Sequence, residues 1–252
     1  MNAPVAHQRK LRESFALADD RATMTTLGGC AVETVSRQAA APIILTYEWL
    51  GDMGRSTIFA GLTAPSRELL GVACFGYGPG GRIREKIGGP AYCLERGACV
   101  HWAPPNAASF LIARACKLVY RMTGVERFFA YCDPMAGEYG AVYQAANWTY
   151  LGQGLDGRFG RERRYFVLPP GDDPDNPANW RTSRALRRDP YNSLTFAAAR
   201  KLGWQIASRE AKHVYAIHVG REAKTWRKAF PVLPYPAPRP ELKRHGSVSI
   251  VR

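Results

Sequence analysis

From Ala31 onward short apolar runs alternate with polar or glycine-rich breaks, and the spacing within each run predicts its form. AVETV reads as a short strand. Ser36 then caps a helix through SRQAAAPIILTYEWLG, which stops at Gly51 and holds Pro42, so a kink or a late start is expected. STIFAGLTA and ELLGVACFGYG are β-rich runs joined by a polar turn and predict an antiparallel pair. YCLERGACVHW predicts a strand that leads through APPNAAS into the helix FLIARACKLVYRMTG, where Phe110, Ala113, Cys116 and Tyr120 keep helical spacing up to Gly124. VERFFAYCD then predicts a strand, GEYGAVYQAANW a helix, TYLGQG a turn into a strand, and RRYFVLPP the last strand before a Pro- and Asp-rich break at 169–179. Beyond the break NWRTSRALRR, SLTFAAARKLGWQ and REAKTWRKAF read as short basic helices, KHVYAIHV as a strand, and VLPYPAPRP as an extended tail. This order predicts an α/β (α+β) fold, a mixed central sheet with helices on both faces. Three regions follow: a polar N-terminal arm at 1–30, a core at 31–168, and an extension at 169–252.

Composition places the chain among folded globular proteins, at 46% hydrophobic and 22% charged residues over 252 positions. The six cysteines show no paired short spacing and most sit in apolar runs, which predicts reduced, packed thiols in a cytosolic protein. Neither a signal peptide nor a membrane span is expected from the apolar run lengths. Gly76-Tyr77-Gly78-Pro79-Gly80-Gly81 satisfies G-x-G-x-x-G literally, but RIREKIGGPA is too short for the helix that a dinucleotide site requires and predicts a loop between strands. Cys93, Cys99, His101 and Cys132 match no standard zinc spacing, so no metal ligands are assigned.

Charge divides the chain. Residues 1–157 carry 15 basic and 13 acidic side chains, whereas residues 158–252 carry 20 and 8, so nearly all of the net +14 lies in the second part. Arg158, Arg161, Arg163 and Arg164 form one basic cluster, Arg181, Arg184, Arg187 and Arg188 a second, and Lys224, Arg227 and Lys228 a third. They are interleaved with Trp180, Tyr191, Trp204 and Trp226, a combination suited to phosphate contacts and base stacking. A solvated helix face is the competing role for each cluster.

The strand at 92–102, the loop Pro104-Pro105-Asn106-Ala107-Ala108-Ser109 and the helix it opens form the most informative unit. Small residues at a helix start present free N–H groups and the positive end of the helix dipole, a general solution for a phosphate or pyrophosphate. With the following strand and the helix holding Val142-Tyr143-Gln144-Ala145-Ala146-Asn147-Trp148, the arrangement resembles the acyl-CoA-binding half of the GCN5-related N-acetyltransferase fold. In that fold a Gly-Phe pair stands where Asn147-Trp148 stand here, and the phosphate loop is normally glycine-bearing, as this one is not. The resemblance implies acetyl-CoA or another acyl donor held at Asn106, Ala107, Ala108 and Ser109. It also implies Tyr143 as the acid that protonates the departing thiolate.

A narrower resemblance covers about residues 32–238. Tyr47-Glu48-Trp49-Leu50-Gly51-x-Met53, Leu94-x-Arg96-Gly97-Ala98-Cys99-x-His101-Trp102, Asn106-Ala107-Ala108-Ser109-x-Leu111-Ile112, Asp133-x-x-x-Gly137-Glu138-x-Gly140-x-x-Tyr143-Gln144-Ala145 and Pro234-Tyr235-Pro236 are similar to the Mom family of bacteriophage DNA-modification proteins. What this implies is a carbamoylmethyl group placed on N6 of adenine in double-stranded DNA, protecting it from restriction in the cytoplasm of the bacterial host. Carbamoylmethyl joins N6 to a methylene carbon, whereas plain acetyl transfer joins it to a carbonyl carbon. The chemistry therefore needs more than acetyl transfer and leaves room for a metal such as iron. Among the site residues, Glu48 and Asp133 would activate or orient the exocyclic amine, Ser109 joins them as a candidate, and Arg96 would bind a phosphate bidentately. Glu138 reads as a capping residue at a helix start. Arg163, Arg164, Arg184, Arg187, Arg188, Lys224, Arg227 and Lys228 would hold DNA. Two other functions stay open: acetyl-CoA-dependent acetylation of a protein or small amine, and DNA binding without catalysis.

Overall fold

The computed structural model describes residues 7–78, 81–154, 164–173, 179–182, 186, 194–209, 211–236 and 249–250. Its main sheet begins with four antiparallel strands, β1 (Ala31–Thr34), β2 (Ile58–Thr63), β3 (Leu69–Gly76) and β4 (Ala91–Cys99). β4 then pairs in parallel with β5 (Arg127–Cys132), and the sheet ends in antiparallel β10 (His213–His218) and β6 (Thr149–Gln153), giving the order β1-β2-β3-β4-β5-β10-β6. A second sheet runs β11 (Ser249–Ile250), β9 (Gln205–Arg209), β7 (Arg164–Leu168), β8 (Arg181–Thr182), with α6 (Phe196–Lys201) leading into β9. The fold is thus mixed α/β.

Alternation along β5 shows how the main sheet is covered. Phe128 and Ala130 pack into the cluster that holds Leu111, Ala115 and Val119 of α4 (Ala107–Thr123), while Phe129 packs the other way, with Ile83 of α3 (Gly81–Lys86), Ile87 and Trp226 of α7 (Ala223–Lys228). Helices therefore lie on both faces. The stripe that α4 buries is Ala107, Leu111, Ile112, Ala115, Cys116 and Val119; Phe110, Ala113 and Tyr120, which mark the predicted stripe, pack at its margin.

Several elements differ from expectation. Residues 81–86 are helical rather than loop, because Ile83 and Ile87, one turn apart, both bury against Ala91, Cys93 and Phe129. α2 (Arg37–Tyr47) starts after its cap Ser36, whose hydroxyl accepts the Ala39 N–H at 3.1 Å, and closes at Glu48 instead of running to Gly51. α5 is confined to Ala141–Ala145, bounded by left-handed backbone at Gly140 and Asn147. β7 belongs to the second sheet, and β10, from beyond residue 169, fills the gap between β5 and β6 of the first. The sheets therefore do not divide where the composition does.

α1 (His7–Ala18) lies within the stretch read as an arm, and it is tied to the end of α2 and to the turn after β4. Gln8 donates to Tyr47 O at 2.8 Å, Arg12 donates to His101 O and Ala103 O at 3.1 and 2.9 Å, and the Arg21 guanidinium sits 4.1 Å from the Trp102 ring centre.

Candidate active site

β4 and β5 pair only over Ala91–Leu94 and Arg127–Ala130, and beyond that point they part. A bulge in β4 sits at the parting: Cys74 faces Arg96 and Phe75 faces Leu94, leaving Glu95 without a partner on β3. The Glu95 carboxylate accepts the N–H groups of Gly78 and Arg55 and the Ser56 hydroxyl, each at 3.0 Å. Those bonds fasten the loop after α2 along the edge of the opening.

Glu48, the residue that closes α2, is 6% exposed. Its Oε2 accepts the Leu50 N–H at 2.9 Å and lies 3.7 Å from Arg96 Nε. Arg96 itself donates from Nε to Asp52 O at 3.1 Å, from Nη2 to Asp52 Oδ1 at 2.7 Å and from Nη1 to Glu95 O at 2.6 Å. All three nitrogens are engaged within the protein, so Arg96 orders carboxylates rather than offering the open fork that phosphate binding needs. Burial raises the Glu48 pKa to about 7; Arg96 and the Leu50 N–H oppose the rise, and Glu138 and Asp52 add to it. A carboxyl poised there takes a proton from a weak nucleophile near neutral pH.

The other wall comes from the end of β5. The Asp133 N–H donates to Glu138 Oε2 at 3.0 Å, and Glu138 Oε1 accepts the Trp49 indole N–H at 2.7 Å. Burial is the main cause that raises the Glu138 pKa. Lys212 Nζ stands 3.3 Å from Asp133 Oδ2. Lys212 precedes β10, where His213 lies opposite Cys132 and bonds the Tyr150 hydroxyl through Nδ1 at 2.8 Å. Neither Lys212 nor His213 is expected at a site from sequence: the pattern of KHVYAIHV marks a strand without naming its neighbours.

Tyr143 on α5 stacks within an aromatic group, 5.0 Å from the Trp148 ring centre and 5.4 Å from that of Tyr215. Burial, then the charges of Cys132 and Glu138, raises its pKa well above that of an ordinary tyrosine. No hydrogen bond to its hydroxyl is present among the described residues, and the group stays protonated at neutral pH. Tyr215 is fixed beside it by donating to Tyr139 O at 2.6 Å and accepting from Gln144 Nε2 at 3.1 Å. Gly140 makes this packing possible: its φ is +77°, and an added Cβ would stand 2.3 Å from the Tyr215 ring.

At the start of α4, Asn106 adopts left-handed backbone at φ 63°, and its side chain makes no capping bond. In the first turn the Ala107 N–H donates to Pro104 O at 3.1 Å, while Asn106 caps neither Ala108 nor Ser109, at a loop end where Asn106 and Ala108 are exposed. Ala107 points into the core. Ser109 Oγ donates to Asn106 O at 3.0 Å and joins none of the hydrogen bonds around Glu48 and Glu138, which sets it apart from them as a catalytic candidate. Asn147 is also left-handed, at φ 59°. Asn106 and Asn147 are two of the described non-glycine residues that take positive φ, where asparagine is tolerated better than most side chains.

Of the expected DNA-binding residues, Lys224, Arg227 and Lys228 are exposed on α7. Arg163, Arg184, Arg187 and Arg188 lie outside the described residues, as do Arg158, Arg161, Tyr191 and the side chain of Arg164. The tryptophans all make packing contacts: Trp180 is buried, Trp204 is half-buried on Val167 and Ile206, and Trp226, also half-buried, bonds Ile87 O at 2.9 Å. Among the described residues no three His, Cys, Asp or Glu side chains are grouped to hold a metal ion, and no helix is long and apolar enough to cross a membrane.

Fold and site together define a mixed α/β protein with carboxylates gathered near the end of the parallel β4–β5 pairing. The Mom protein family model matches residues 29–164, more than half of the chain, and the protein belongs to that family. No curated protein matches the chain. Three solved structures are similar in outline. An agmatine N-acetyltransferase is 9% identical, covering 75% of this chain and 100% of its own, with a TM-score of 0.41. A structure described as a phosphinothricin N-acetyltransferase is 7% identical over 76% of this chain and 99% of its own, with a TM-score of 0.38. A ribosomal-protein-S5-alanine acetyltransferase from Vibrio fischeri is 7% identical over 53% and 86%, with a TM-score of 0.35.

Proposed function

We propose that the protein is a DNA-modifying transferase that places an acyl-derived group, carbamoylmethyl, on N6 of adenine in double-stranded DNA and so shields it from restriction. The observation that carries this reading is the pair of hydrogen bonds that joins Glu138 to Trp49, the neighbour of Glu48, and to Asp133, with burial raising the Glu48 and Tyr143 pKa values, in a member of the Mom family. Glu48 accepts the proton released as N6 forms its new bond. Tyr143 donates a proton to the departing group, and Asp133, paired with Lys212, orients the amine. An acyl-CoA is the proposed carbon source, its pyrophosphate at the start of α4; loss of its thiol alone would bond N6 to the carbonyl carbon, so the carbamoylmethyl product needs in addition a nitrogen donor and a bond from N6 to the methylene carbon. N6 of a paired adenine is reached when the base leaves the stack, so the exposed cations of α7 would hold the backbone while the base enters.

Plasmid taken from cells that express the protein is expected to resist restriction enzymes whose sites contain adenine, and to regain sensitivity with Tyr143→Phe or Asp133→Ala. Sensitivity with the wild-type protein counts against the reading. If acetyl-CoA stabilises the protein while its plasmid stays sensitive, acetylation of another amine is favoured.

A further inference from the structure

Two separate sequence motifs meet in the fold: the Trp49 indole N–H donates to Glu138 Oε1 at 2.7 Å across 89 positions of the chain. The second oxygen of the same carboxylate accepts the Asp133 N–H at 3.0 Å. Glu138 thus touches, through its two oxygens, the neighbour of Glu48 on one wall of the opening and the backbone of Asp133 on the other. Trp49 is held from a third side, since its backbone N–H donates to Gln8 Oε1 at 3.1 Å.

We infer that Glu138 is a positioning residue, a brace that fixes the distance between the two carboxylates of the site by holding Trp49 and Asp133 at once. A cap would need only the Asp133 bond. The charge-assisted bond to Trp49 ties the end of α2, and with it Glu48, to the loop after β5, two segments that no strand pairing joins. Glu48 then keeps its buried place among Arg96, Asp52, Glu138 and the Cys74 thiol, and Glu138 keeps its own among Asp133, Lys212, Cys132 and Tyr143. The brace serves the proposed DNA modification and rests on that reading for its purpose, though not for its geometry.

Trp49→Phe tests it while leaving every charge in place. The Glu48 carboxyl is followed by carbon NMR in protein labelled at glutamate, with Glu48→Gln assigning the signal. Its midpoint is expected to fall toward the ordinary carboxylate range by about half a unit or more as the freed loop admits water. DNA modification is expected to drop on the order of tenfold or more in Trp49→Phe and in Glu138→Gln, with the double variant no worse than either. Glu138→Gln sets an amide against one of the two donors and is the second variant if Trp49→Phe does not fold. An unmoved Glu48 midpoint in folded Trp49→Phe, or wild-type modification in both variants, overturns the brace. If the wild-type protein modifies no DNA, the functional reading fails by itself and the Glu48 midpoint still decides about the brace.

Discussion

Glu48 carries the clearest pH dependence at the site. Its folded pKa, near 7, lies above the ordinary value of 4.5, so the folded state binds the proton more tightly than the unfolded chain does. Stability from this group is full below about pH 4.5 and is lost as pH rises through 7. Glu48→Gln, which mimics the protonated form, should gain in melting temperature relative to wild type between pH 5 and pH 8, measured by thermal unfolding at each pH. Activity runs the other way: modification should rise toward pH 7 as Glu48 ionises, and should fall roughly a hundredfold in Glu48→Gln. Glu48, Asp133 and Tyr143 stand out in the sequence by their motif neighbourhoods, and their roles belong to the proposal. The engagement of Arg96 was not readable there, because a sequence does not show that Asp52 folds back onto the guanidinium. Nor was Glu138 readable as more than a cap, since its partner Trp49 belongs to another motif. The left-handed backbone of Asn106 and Asn147 is not legible in the sequence either, since asparagine is at home in ordinary backbone as well.

Periodicity located most strands and the long helix α4, because each records its burial in its own sequence. It did not assign strands to sheets. RYFVL and HVYAIH read alike as strands, but only the second supplies the bonds that β5 and β6 require, at His213–His218 against Arg127–Cys132 and Thr149–Gln153. Short helices failed for a related reason: α3 and α5 depend on what Ile83, Ile87 and Gly140 meet across the fold. A chain ended after Leu168 would lose β10 and expose facing edges of β5 and β6. Such a fragment is expected to show no cooperative thermal transition and an unfolded NMR spectrum; a cooperative melt would show that the main sheet closes without β10.

A net charge of +14 admits many partners, and its concentration after residue 157 narrows them toward polyanions. The described part of that region presents Lys224, Arg227 and Lys228 outward beside the half-buried Trp226, an arrangement fit for holding phosphates. Replacing the three by alanine should weaken DNA binding, with a log–log salt slope smaller by about 0.9 for each phosphate no longer neutralised, while stabilisation by acetyl-CoA persists. The central claim concerns what leaves the site. Plasmid from expressing cells, digested to nucleosides and analysed by mass spectrometry, is predicted to contain a deoxyadenosine heavier by the carbamoylmethyl group, absent with Tyr143→Phe. Recovery of deoxyadenosine only in its unmodified form, from cells holding abundant folded protein, would contradict the account.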